Sequence, residues 1–118
     1  MDNRKFVAAI AIVWLSTAAA ISGAFSAPTC LRVVNVDFWD VLYIRASETH
    51  KARAAGAIAP DHDGIIQLTG PCKPPGQSSK RQWCPVDYFP LPSVRISGFV
   101  KAYFVAPAPC PTGFVGAS

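Results

Sequence analysis

The stretch Gly70–Val86, with the sequence GPCKPPGQSSKRQWCPV, places two cysteines around a polar segment. Between Cys72 and Trp83 the residues are Lys, Pro, Gly, Gln, Ser and Arg, which are residue types that seldom form a core. A link between the two cysteines would therefore fix a loop that cannot hold itself by burial. Whether that link is a disulfide, a metal site or a redox pair depends on the compartment in which the protein folds.

Residues 1–26 have the pattern of a secretory signal peptide. A short basic segment precedes the apolar run Phe6–Ile21, which is shorter than the roughly 20 residues that a membrane-spanning helix needs. Ala24 and Ser26 then occupy the −3 and −1 positions of a cut after Ser26, and a cut after Ala24 fits nearly as well. We therefore expect an exported protein, periplasmic or secreted, with no stable membrane insertion after cleavage.

The remaining 92 residues suffice for one small domain, and cleavage lowers the formal charge from +4 to +3. We expect this domain over residues 27–105, followed by a Pro- and Gly-rich tail over 106–118. The basic residues are scattered rather than gathered in a stripe, so nucleic acid is not an expected partner. A weak attraction to an anionic envelope polymer is compatible with the charge.

All four cysteines lie in the part that follows the signal, which in a short exported chain favours disulfides. Cys72 follows one strand-like run and Cys84 lies in the next, so neighbouring strands would bring them within bridging distance. Cys30 and Cys110 flank the domain and would tie its ends together. A zinc site or a redox pair would require closer cysteine spacing, such as C-x-x-C, so we expect Cys72–Cys84 and Cys30–Cys110 disulfides.

Short apolar runs separated by turn residues, with no helix, predict a small all-β barrel or sandwich. Leu42 and Ile44 should face inward, with Tyr43 and Arg45 outward, because side chains alternate along a strand. Pro85 lacks an N–H and predicts an edge strand or a bulge. Gly64 is expected to adopt a positive φ in the turn 61–64. Further strands are predicted at 31–36, 54–59, 65–69, 83–89 and 96–100, and a 3₁₀ turn at 101–104.

An ordered set of motifs over residues 31–105 resembles the bacterial SH3 (SH3b) domain family. The set comprises Leu42-Tyr43-Ile44-Arg45, Ala55–Pro60, Gly64–Gly70, Trp83-Cys84-Pro85-Val86, Ser97-Gly98-Phe99-Val100 and Ala102–Phe104. The chain departs from the family pattern at Ala46-Ser47-Glu48 and at Phe99, where the family often has S-G-P and Trp. The resemblance implies a small, closed SH3-like barrel without catalysis, of a kind that commonly binds cell-wall peptides or other envelope ligands.

Aromatic residues suggest where such a ligand would bind. Trp83 and Phe99 are the aromatic residues that we expect in the core. We expect a recognition face of Trp39, Tyr43 and Tyr103, with Arg45 and Lys101 as charged rims; Tyr103 is included because it lies where the SH3b groove is often lined.

The sequence shows no established catalytic motif, so we expect a monomeric binding module that is not an enzyme and uses no metal or cofactor. Asp61-His62-Asp63 is typical of a solvated turn, and Ser47 and His50 lack a carboxylate placed to orient the imidazole. Two alternatives stay open. One is a secreted inhibitor or effector that blocks a partner protein, and the other is a small periplasmic hydrolase.

Overall fold

The computed structural model describes residues 27–115, which form a seven-stranded antiparallel sheet. The expected signal peptide and the last three residues of the tail lie outside the described residues. The strands are β1 (Thr29–Val33), β2 (Leu42–Arg45), β3 (Ala54–Ile58), β4 (Ile65–Leu68), β5 (Trp83–Leu91), β6 (Val94–Lys101) and β7 (Val105–Ala108). Their order across the sheet is β3-β2-β6-β5-β4-β1-β7. The all-β prediction is therefore confirmed.

The sheet is open, and the expectation of a closed barrel is wrong. Within residues 27–115, no ladder joins the outer strands β3 and β7. Pro107 lies in β7 and has no N–H to donate, which suits a free edge better than an internal ladder. The sheet still bends around its apolar face, because Leu31 of β1 and Ile58 of β3 belong to one buried cluster although four strands separate them.

The core forms on one face of this bent sheet. Leu42 and Ile44 are buried, whereas Tyr43 and Arg45 point to the other face, as the alternation of β2 predicts. The cluster contains Leu31, Leu42, Ile44, Ile58, Ile66, Cys84, Val86, Tyr88 and Val100. Burial, with a smaller effect of the Asp63 carboxylate, raises the pKa of Tyr88 above its usual value.

The aromatic residues expected in the core lie on the outer face instead. Trp83 is buried, but side-chain alternation places it opposite Cys84, which belongs to the core cluster. Phe99 is only partly buried and lies on the same outer face, because it is paired with Pro85 across β5 and β6. The core aromatic of β5 is Tyr88.

Pro85 lies in an internal strand, so the prediction of an edge position is wrong. Its carbonyl accepts a hydrogen bond from the Thr69 N–H at 3.0 Å, on the side of β4. The nitrogen of a strand residue faces the same side as its carbonyl, and β4 ends at Leu68. The N–H that Pro85 lacks would therefore point beyond the end of β4, where the β4–β5 ladder has already ended.

Two other local expectations change in the structure. Gly64 does not adopt a positive φ; it allows a close approach, because a Cβ there would lie 2.5 Å from the Phe89 carbonyl oxygen. Val105–Ala108 forms β7 and pairs with β1, so the sheet extends past residue 105 into the segment 106–118 that was expected to be a tail. The 3₁₀ turn is confirmed as Ala102–Phe104.

Both predicted disulfides are present. Cys30–Cys110 links β1 to the segment after β7, and Cys72–Cys84 links the polar loop to β5. Two disulfides indicate an oxidising, non-cytoplasmic environment. No helix in the described range 27–115 has the length and apolar character to cross a bilayer.

Removing the disulfides should destabilise the domain unequally. Cys72 and Cys84 are 12 residues apart and Cys30 and Cys110 are 80 apart, so the second link restricts the unfolded chain more. We expect losses in the free energy of unfolding of about 3 kcal/mol for Cys72→Ala/Cys84→Ala and about 4–5 kcal/mol for Cys30→Ala/Cys110→Ala. Urea denaturation measures both. The reverse order would contradict this reasoning, and non-reducing peptide mapping checks the pairing itself.

Candidate functional site

A groove opens where β2 and β6 separate. The two strands are paired at one position in the described structure, Arg45 with Phe99. Gly98, next to that pair, lets them touch: a Cβ there would lie 2.6 Å from both the Arg45 carbonyl oxygen and Ile44 Cγ2. Toward Tyr43 and Lys101 no further pairing follows, and a cavity of about 180 Å³ lies in the gap.

The groove draws its lining from several parts of the chain. The loop before β2 supplies the first residues, β2 itself the next, and the polar loop 46–53, β5, β6 and the 3₁₀ turn supply the rest. The lining residues are Asn35, Val36, Asp37, Asp40, Val41, Leu42, Tyr43, Arg45, His50, Trp83, Lys101 and Phe104.

Two cations in the groove are held on aromatic rings. Lys101 Nζ lies 4.5 Å from the centre of the Trp83 ring, and Arg45 Cζ lies 5.0 Å from the centre of the Tyr43 ring. The Arg45 guanidinium also donates a hydrogen bond to the Ala52 carbonyl at 3.4 Å. Neither cation has a carboxylate within 4 Å in the part of the chain that the structure describes. Both positive charges are thus positioned by the fold but not neutralised by it.

Trp83 forms a fixed wall of the groove. It retains only 8% of its exposure, because Lys101 covers one part of the indole and His50 contacts another, with ring centres 5.2 Å apart in an edge-to-face arrangement. His50 belongs to the loop 46–53, whose base is closed by a hydrogen bond from the Ala46 N–H to the Arg53 carbonyl. The loop therefore folds back over the outer face of the sheet.

The turn before β2 brings two acidic residues to the groove. Asp37 and Asp40 bracket a turn closed by a 2.9 Å hydrogen bond from the Asp40 N–H to the Asp37 carbonyl. Asp40 Oδ1 accepts a 2.8 Å hydrogen bond from the Val41 N–H, which fixes the orientation of that carboxylate. Neither aspartate forms an ion pair with another residue of the described range.

The residues expected at a recognition face divide between two places. Tyr43, Arg45 and Lys101 line the groove. Trp39 does not; it is 73% exposed and packs edge to face against Phe38, which is 85% exposed, at 5.0 Å between ring centres. Tyr103 also lies outside the lining and carries Lys80 over its ring at 5.1 Å.

Trp83, His50 and the two aspartates are the groove residues that sequence reasoning missed as a site. The pairing of Trp83 with Lys101 could have been inferred from the β5–β6 hairpin, because partners across a hairpin share a face. The fold-back of the loop that brings His50 to Trp83 has no comparable signal in the sequence, since the loop has no periodic pattern.

Other parts of the described surface offer fewer chemical groups. Among residues 27–115 no three His, Cys, Asp or Glu side chains are arranged to hold a metal ion. His62 contacts Tyr88 edge to face at 5.7 Å, and its buried Nδ1 has no hydrogen-bond partner in this range. A second, more apolar cavity of about 380 Å³ lies beside Phe89 and Phe114.

Comparison with known proteins finds no family model that matches this sequence and no match among curated proteins or solved structures.

Gly98→Ala should weaken the contact that defines the groove. The added methyl group would overlap backbone and side-chain atoms of β2, and overpacking of this kind typically costs about 1–3 kcal/mol. We expect the free energy of unfolding, measured by urea denaturation, to fall by that amount. Gly70→Ala is the matched control, because its Cβ would meet only the Pro85 side chain at 3.3 Å and should cost less. Equal losses for the two variants would contradict a special role for the β2–β6 contact.

Proposed function

We propose that the chain is a non-catalytic, SH3b-like binding module that is exported to the periplasm or beyond and recognises cell-wall peptide material through the β2–β6 groove. The motif resemblance over residues 31–105, the export signal and the two disulfides support this environment and this class of function. The observation that carries the proposal is the pair of cations, Arg45 and Lys101, held on aromatic rings without carboxylate partners.

A neighbouring cation on the same face of the sheet shows the contrast. Arg95 lies 3.8 Å from Asp87, and Asp87 also accepts a 2.6 Å hydrogen bond from Ser97. Charge on that part of the outer face is therefore neutralised within the protein, whereas charge in the groove is left for another molecule. Carboxylates of wall peptides are suitable partners, because charge-assisted hydrogen bonds to Arg and Lys are among the stronger polar contacts.

A protein partner is the second candidate, and the pair Phe38–Trp39 favours it. Large, adjacent aromatic side chains exposed at a turn are typical anchors in protein interfaces. In this reading the chain is a secreted inhibitor or effector, and the aromatic turn inserts into the partner.

Neutralising the groove should reduce binding to wall material. We expect Arg45→Gln/Lys101→Gln to lower the affinity for purified peptidoglycan at least about tenfold, because two charge-assisted contacts are lost. Wild-type binding should weaken as salt is raised, and the double variant should respond less. Co-sedimentation at increasing salt measures both.

Lys51→Gln/Arg53→Gln is the matched control, since it removes the same charge from exposed positions outside the groove. Equal loss of binding in the two double variants would show that net charge, rather than the groove, is responsible. Circular dichroism confirms that each variant is folded.

The exposed aromatic turn and the groove can be separated with single variants. If the groove binds the wall ligand, Tyr43→Ala should weaken wall retention several-fold, because it removes the ring under Arg45, and Trp39→Ala should have little effect. Loss of retention with Trp39→Ala alone would place the contact at the turn. If the Trp39→Ala/Tyr43→Ala variant is retained as well as the wild type, the proposed recognition face is wrong.

A further inference from the structure

The groove carries both signs of charge without internal compensation. Asp37 and Asp40 of the turn before β2 line it, and so do Arg45 of β2 and Lys101 of β6. No ion pair joins the two sets within the described part of the chain, although all four residues line one cavity of about 180 Å³. Different contacts orient them. The Asp40 carboxylate accepts a hydrogen bond from the Val41 N–H, Arg45 lies over the Tyr43 ring, and Lys101 lies over the Trp83 ring.

The geometry of β2 explains how this separation arises. Asp37 and Asp40 precede β2, whereas Arg45 ends it, so the strand itself spaces the acidic turn from Arg45. Lys101 ends β6 and is fixed in turn by its pairing opposite Trp83. Because these charges belong to different parts of the chain and none is ion-paired with another in the described range, a ligand that bridges them displaces no internal ion pair.

We propose that the groove binds a zwitterionic group, namely the free end of a short peptide that carries both an ammonium and a carboxylate. The ammonium would lie toward Asp37 and Asp40, and the carboxylate toward Arg45 and Lys101. This inference rests on the proposed function and specifies the ligand of the same groove. A purely anionic polymer would leave Asp37 and Asp40 without a partner and would be repelled by them.

The size of the groove fits this class of ligand. Its volume of about 180 Å³ is below the roughly 300–1,000 Å³ of pockets for drug-sized molecules, so it suits one or two small residues rather than a polymer segment. Trp83 and Phe104 add aromatic side chains to the lining of the groove.

Three dipeptides test the proposal: glycylglycine, its N-acetyl derivative and its C-terminal amide. Calorimetry or NMR titration at pH 6.5, where the terminal amine is protonated, measures the affinities. We expect glycylglycine to bind at least about tenfold more tightly than either capped form, because each cap removes one charged contact.

Variants test which charged residue contacts the ammonium of the dipeptide and which contacts its carboxylate. In Asp40→Asn the loss of affinity caused by N-acetylation of the dipeptide should shrink, while the loss caused by C-terminal amidation should persist. In Lys101→Gln we expect the reverse. Asp61→Asn and Lys51→Gln are matched controls, because these exposed residues lie outside the groove and should leave both penalties unchanged.

Equal affinity for glycylglycine and its N-acetyl form, or no detectable binding of glycylglycine, would overturn the zwitterion proposal. Peptidoglycan co-sedimentation with the same wild-type preparation separates this failure from that of the proposed function. Retention on the wall without discrimination among the dipeptides overturns only the ligand class, and absence of retention overturns wall recognition too.

Discussion

The close approach of β6 to β2 at Gly98 is the contact on which the rest of the molecule depends. Because position 98 lacks a side chain, the backbone of β6 reaches the Arg45 carbonyl and Ile44 of β2, and the strands pair at Arg45 and Phe99. This single pairing joins the β2–β3 hairpin to the other five strands and brings Ile44 and Ile58 into the common core. The same contact ends abruptly, so the strands part and leave the groove. The fold and the candidate site thus have one origin.

The disulfides supply what so small a core cannot. Nine buried residues form the apolar cluster, and one of them, Cys84, is itself a disulfide partner. The Cys72–Cys84 link therefore fastens a wholly polar loop directly to the core, while Cys30–Cys110 holds β1 against the end of the chain at a free edge of the sheet. With the ends of the domain covalently fixed, the strands can stay short and the sheet open. The groove does not need apolar burial to keep its shape.

Local patterns in the sequence predicted what depends on local geometry. Alternation along Leu42–Arg45 gave the correct inward and outward faces, and the separation of the cysteines gave the correct pairs, because both follow from which residues neighbouring strands bring together. The open sheet was not predictable in this way, since it depends on which edges meet after the whole sheet has bent. Trp83 was expected in the core because of its residue type, but side chains alternate along β5 and the inner face belongs to its neighbour Cys84. Of the residues expected at a recognition face, the three on strands line the groove, whereas Trp39 and Tyr103, which lie in turns, do not.

Arrangement, rather than the amount of charge, distinguishes the groove from the rest of the surface. Arg95 and Asp87 lie on the same outer face and neutralise each other at 3.8 Å, as cross-strand neighbours of opposite charge commonly do. Lys101 and Arg45 lie instead over aromatic rings, which orient a cation without cancelling its charge. An exposed unpaired charge by itself has little meaning, because water solvates it at small cost. Four charges in one cavity, two of each sign and none ion-paired with another in the described range, are harder to account for as solvated surface. This arrangement is the physical reason for assigning the groove to a ligand.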